Sequence, residues 1–196
     1  MCGKDLEKLT KALSKELENI SDYYKANKLK LNAKKTNMII FRKRSLPANN
    51  EQMNVYLDNE KLIPTDKTLF LGTTIDCTLN WDAHCINVAN KISKGNGMIN
   101  RVPPNSLKLL YYSFVQPYIH YALPAWGGCS SQSNKRIINI QKRAIRTITK
   151  SYITAHTEPR MKMLGILKFD DLNMLQSCLQ IVSTKVLPKL YRIVFL

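Results

Sequence analysis

Acidic residues are missing from two long windows of this chain. None lies between Asp22 and Glu51, where Lys25, Lys28, Lys30, Lys34, Lys35, Arg42, Lys43 and Arg44 fall. None lies between Asp82 and Glu158, where Lys91, Lys94, Arg101, Lys108, Lys135, Arg136, Lys142, Arg143, Arg146 and Lys150 fall. These gaps exclude a charge-balanced surface. Long hydrophobic runs are absent too: no stretch reaches the roughly 18 uninterrupted apolar residues of a spanning helix, and Met1-Cys2-Gly3-Lys4-Asp5 has no apolar signal-peptide core. The expectation is a soluble intracellular protein, cytoplasmic or nuclear, without membrane attachment. Paired cysteines are lacking: Cys2, Cys77, Cys85, Cys129 and Cys178 are five in number, widely spaced and without a Cys-x-x-Cys, which excludes a disulfide framework or zinc ribbon. Cys77, His84 and Cys85 find no fourth metal ligand, so packing is the simpler role for the thiols. No Ser-His-Asp arrangement, Gly-rich phosphate loop or metal-binding helix motif offers catalytic chemistry, and there is no repeat or low-complexity segment.

What is present is a globular composition, 44% hydrophobic and 22% charged, enough for one domain or two small lobes. Thirty Lys and Arg against fourteen Asp and Glu give +16, a balance that attracts polyanions. Leu6, Leu9, Leu13, Leu17 and Ile20 step by three and four, predicting a helix from Asp5, as its cap, to Asn27. Met38 to Phe41 reads as a buried strand. Alternating Met53, Val55 and Leu57, then Asp58-Asn59 and Lys61 to Ile63, predict a hairpin, and Leu69 to Ile75 one further strand. From Asp76 the period changes. Trp81, Cys85, Val88 and Ile92 mark a helix that frays or bends near Gly95 and Gly97; Pro103-Pro104 restarts the chain, and Pro117 kinks or ends the helix of Leu107 to Phe114. A loop from Gly127 to Ser133 precedes a helix over 134–149. Thr157 and Pro159 open a short helix closed by Gly165, and Asp170 caps a last one carrying Leu172, Leu175, Leu179, Val182 and Val186. This is an α+β fold: a small, mainly antiparallel sheet over residues 1–76, then a helical lobe over 77–196.

On a helical wheel of about 100° per residue, Lys135, Arg136, Lys142, Arg143, Arg146 and Lys150 fall within one arc of about 120°. Ile137, Ile138, Gln141, Ala144, Ile145 and Ile148 occupy another. Such a helix buries one side and aims a ladder of cations outward, where phosphates can displace their counterions. An ordinary solvated face is the plainer reading. Six cations with no compensating carboxylate repel one another unless a polyanion relieves them, which favours binding. The apolar side lacks the Trp and Phe of a membrane-interfacial helix.

The segment Leu29-Lys30-Leu31-Asn32-Ala33-Lys34-Lys35-Thr36, followed by the apolar run through Phe41, resembles the reverse-transcriptase palm motif L-x-L-N-x-x-K-T. Phe70-Leu71-Gly72-Thr73-Thr74-Ile75-Asp76 resembles the family's next segment, in which a Leu-Gly step helps hold the primer end. Leu79-Asn80-Trp81-Asp82-Ala83-His84, Tyr111 to Tyr121, Trp126-Gly127 and Ile140-Gln141-Lys142-Arg143-Ala144-Ile145-Arg146 are similar to the thumb and following region of non-LTR, LINE-type retrotransposons, jockey-like ones above all. The ordered series covers nearly the whole chain. The resemblance implies a palm end over 1–76 and a thumb-like region over 77–196. It puts Asn32 and Lys35, with neighbouring Lys34, near the incoming nucleotide, and Leu71 and Gly72 against the primer backbone. From spacing alone, Asn32 is a turn residue, the lysines a solvated loop, and Leu71 and Gly72 a strand residue and a bulge.

The activity that the resemblance implies for the parent enzyme is RNA-directed DNA polymerisation, which needs carboxylates holding two Mg²⁺ ions. The resemblance places those aspartates ahead of Met1, so this chain alone is expected to bind no cofactor and to be inactive. Phe169-Asp170-Asp171 mimics the family's aromatic-x-Asp-Asp turn, but it lacks the spacer and opens a helix, where aspartates serve capping and the dipole. Expected partners are RNA, DNA or their hybrid, and the remainder of the reverse transcriptase. The rival reading is a retrotransposon-derived protein-interaction or assembly module without nucleic-acid function.

Overall fold

A computed structural model describes residues 6–45, 53–99 and 106–186. The chain is α+β and divides into two units, Met1–Leu79 and Asn80–Leu196, a division inside the 76–81 interval where the periodicity changes.

In the first unit, helix α1 (Leu6–Ala26) lays half-buried Leu9, Leu13 and Leu17 on buried Met53, Val55, Leu57 and Leu62. The predicted cap Asp5 lies outside the described residues. Ile20, expected to close the stripe, is exposed; Ser21 turns inward instead and donates to Asp58 Oδ1 at 2.6 Å. That hydrogen bond, and Lys25 at 3.0 Å, hold the Asp58 carboxyl below its usual range. The helix ends with Lys28 at φ 56°, its N–H donating to Lys25 O and that of Leu29 to Tyr24 O. This is the paired closure usually built on glycine.

Strands β1 (Val55–Leu57) and β2 (Glu60–Leu62) form the predicted hairpin, antiparallel with Val55 opposite Leu62. Asp58 and Asn59 turn it at φ 47° and 68°, a left-handed pair that Asp and Asn tolerate. The single strand expected over Leu69 to Ile75 is folded in two: β3 (Lys67–Phe70) returns as β4 (Thr73–Asp76) through Leu71 and Gly72 at φ 46° and 81°. An apolar run gives no hint of a turn whose first corner is leucine. Met38 to Phe41 is not a strand either. It makes one bridge, Met38 with Pro64, in which Thr65 N–H donates to Met38 O at 2.8 Å. The sheet of the sequence reading is thus two separate two-stranded sheets.

In the second unit, α2 (Asp82–Ile99), α3 (Leu107–Phe114), α4 (Gln116–His120), α5 (Leu123–Trp126), α6 (Ser131–Ile148), α7 (Glu158–Leu164) and α8 (Phe169–Val186) share one core. Trp126, Tyr111, Phe169, Ile92, Ile137 and Ile145 are fully buried in it. Pro103-Pro104 lies outside the described residues, whereas Pro117 does end α3, opening α4 at its first turn. Helix α2 passes through Gly95 and Gly97 without fraying. A Cβ on Gly95 would sit 2.9 Å from Phe114 O, so this glycine permits close approach of α3. Gly165, at φ 68°, closes α7 as predicted. Helix α8 begins at Phe169, one residue before the expected cap Asp170. Only its start joins the core: Leu172 is buried, but Leu175, Leu179 and Val182 of the predicted inner stripe are exposed. The thiols of Cys77 and Cys85 are buried, and His84 packs between the rings of Trp81 and Trp126 at 6.2 and 5.2 Å. Burial and ring packing account for their placement. Among the described residues no helix is long and apolar enough to cross a membrane.

Candidate nucleic-acid interface

Helix α6 is positioned first at its start. Ser130 caps it, accepting from Ser133 N–H at 3.3 Å, and the hydroxyls of Ser130 and Ser133 both donate to Asp82 Oδ1 at 2.7 and 2.5 Å. This serine pair extends the helix three residues upstream of its predicted start and ties it to the first turn of α2. Asn96 of α2 donates to Ile140 O at 3.5 Å, so the two helices run side by side in the same sense.

Within the predicted core arc, Ile137, Ala144, Ile145 and Ile148 are buried. Gln141, the one polar member of that arc, is buried as well, and both its nitrogen and its oxygen are engaged. Its Nε2 donates to Tyr111 Oη at 3.0 Å and to Leu167 O at 2.9 Å, and its Oε1 accepts from Phe169 N–H at 3.0 Å. Burial pushes the Tyr111 phenol up to about 12. One amide thus locks α6 to α3 and to the start of α8, and so sets the rotation of α6 about its axis.

The opposite face carries the cations, though not as one ladder. Lys135, Arg136 and Arg143 are exposed, and with Gln132 and Asn139 they line a shallow groove walled by Ala89 and Ser93 of α2. Lys142, half-buried, lies on the other side of the helix, in a cleft with His156, Glu158 and Lys168. There the Lys168–Glu158 ion pair, at 2.6 Å, holds the Glu158 carboxyl below its usual range. Arg146 is also half-buried, its Nε donating to Ala155 O at 3.0 Å. Lys150 is not on the helix. Thr149 is the C-cap, and Lys150 follows at φ 47°, its N–H donating to Thr147 O and that of Ser151 to Arg146 O. No carboxylate of the described residues lies within ion-pair distance of Lys135, Arg136 or Arg143. Of the unit's four acidic residues, Asp82, Glu158 and Asp170 are engaged by Ser130 and Ser133, by Lys168 and by Asn134.

The chain matches no family model, no curated protein and no solved structure. The site therefore rests on its own geometry. Of the residues assigned by resemblance, Asn32, Lys34 and Lys35 share one short 3₁₀ turn, Ala33–Lys35. Asn32 caps it, Oδ1 accepting from Lys35 N–H at 3.3 Å, and both lysine side chains are exposed. Leu71 and Gly72 form the tip of the β3–β4 hairpin, a turn instead of the strand and bulge expected from spacing. Leu71 is 73% exposed in a left-handed conformation that costs a leucine about 1 kcal/mol. Asp170 and Asp171 lie in the first turn of α8. Among the described residues no three His, Cys, Asp or Glu side chains gather to hold a metal ion. The described residues do not by themselves assemble the carboxylates of a two-Mg²⁺ polymerase centre.

Sequence reasoning missed four residues. Gln132, Asn139 and Ser93 add neutral donors to the groove, and nothing in a count of charges points to them. Arg160 was passed over because it stands outside the α6 periodicity.

Proposed function

We propose that this chain binds nucleic acid through phosphates, as the palm end and thumb-like part of a non-LTR retrotransposon reverse transcriptase. The observation that carries the reading is the exposed row of Lys135, Arg136 and Arg143, beside neutral donors and without carboxylates, on a helix whose rotation Gln141 fixes. Cations so placed gain by displacing the counterions of a polyphosphate. The exposed, strained Leu71 beside Gly72 is a second support, since such outliers cluster at ligand sites.

The test is a titration of labelled RNA/DNA hybrid against the purified chain at several salt concentrations. Affinity should fall steeply with salt, and reversing Lys135, Arg136 and Arg143 to Glu should lower the log–log slope by about 3, roughly one per lost phosphate contact. An unchanged slope in a folded variant refutes the reading. In primer extension with Mg²⁺ the chain alone should give no product above a protein-free control. The rival reading, an assembly module, has its own support in the exposed apolar residues Met174, Leu175, Leu179 and Val182 of α8. Apolar association of that kind does not weaken as salt rises.

A further inference from the structure

Between α6 and α7 the chain makes a small loop with an unusual division of labour. Its base is clamped. Arg146 donates to Ala155 O, and Arg160 donates through Nε to Ser151 Oγ at 2.6 Å and through Nη1 to His156 O. Thr149 and Ser151 share a hydroxyl bond at 2.8 Å. A β-turn, closed by Ala155 N–H to Tyr152 O at 3.0 Å, forms the tip. The tip itself is apolar and bare: Tyr152 is 88% and Ile153 85% exposed, more than any other large hydrophobic side chain of the described residues. A flexible loop would fold such side chains back onto the protein. Here two arginines hold the backbone so that they project.

The surroundings say what kind of partner gains from this. Lys150 begins the loop, Arg146 and Arg160 lie beneath it, and its nearest carboxylate in sequence, Glu158, is already paired with Lys168. A projecting aromatic ring set among cations suits a nucleobase, whose face stacks on the ring while its phosphates meet the cations. We propose that Tyr152 is a stacking platform for an unpaired base, with Ile153 packing beside it, beyond the C-terminal end of α6. The inference rests on the nucleic-acid reading and adds what that reading leaves open, a preference for unpaired nucleotides over continuous duplex.

Its test compares a blunt hybrid duplex with the same duplex carrying a short single-stranded overhang, one overhang base being fluorescent 2-aminopurine. The native chain should bind the overhang form about tenfold more tightly and quench the probe. Tyr152→Ser should lose both the gain and the quenching, at unchanged affinity for blunt duplex, and Tyr152→Phe should keep them. If Tyr152→Ser retains the gain, or if the native chain treats both duplexes alike, the stacking platform is refuted while phosphate binding stands. Failure to bind either duplex overturns both. Binding to anionic vesicles that Tyr152→Ser and Ile153→Ser abolish, with no overhang preference, assigns the tip to a lipid surface and refutes the proposal.

Discussion

Replacing Gln141 by Leu keeps nearly the same volume in the helical core and removes three hydrogen bonds. The magnitude follows from what each abandoned partner can do next. The Leu167 carbonyl belongs to a residue 46% exposed, so water can replace the amide at little cost. Tyr111 and Phe169 are each 1% exposed, and the Tyr111 hydroxyl and the Phe169 N–H find no water there. An unmet buried polar group costs about 1–3 kcal/mol, so the two orphans together should cost about 2–6 kcal/mol. Set against the roughly 5–15 kcal/mol of an ordinary domain, that is a large share. Urea unfolding followed by far-UV circular dichroism and by tryptophan fluorescence measures it, with an expected fall in midpoint of about 1–2 M. Tyr111→Phe in the Gln141→Leu background removes one of the two orphans, so the double variant should be less unstable than the sum of the singles. A loss below about 1 kcal/mol, or strict additivity, would refute the claim that this amide fixes the rotation of α6.

Burial raises the Tyr111 phenol from its ordinary 10.0 to about 12. The neutral form is favoured by the fold, so its contribution to stability is complete below about pH 10 and disappears as pH rises through about 12. Alkaline unfolding should show this extra dependence in the native chain and lose it in Tyr111→Phe. Lys150 occupies a left-handed position at the end of α6 that suits glycine. Lys150→Gly should raise stability by about 0.5–1 kcal/mol, read as a higher melting temperature, and should weaken nucleic-acid binding by the loss of one cation. A gain in both would remove Lys150 from the interface.

Much of the local structure was legible in the residues themselves. The leucine steps of α1, the Asp58-Asn59 turn, Pro117 and Gly165 act within a few residues of chain, where periodicity and allowed backbone angles decide the outcome. The wheel also separated the buried arc of α6 from its cations. Three local features escaped because the residues there are unusual for their backbone: Leu71 in a hairpin turn, and Lys28 and Lys150 closing helices in place of glycine.

What the sequence by itself determined was that α6 has an apolar and a basic side, because that depends only on 3.6 residues per turn. Only the tertiary structure decided that Lys135, Arg136 and Arg143 face a groove of α2, that Lys142 lies in a cleft with Glu158 and Lys168, and that Arg146 holds a loop. Those outcomes depend on neighbours distant along the chain: Ala89, Glu158 and Ala155 reach α6 through packing, and packing is governed by the shapes of whole elements, which no local pattern encodes. The same reason leaves the outer half of α8 exposed despite its regular apolar spacing.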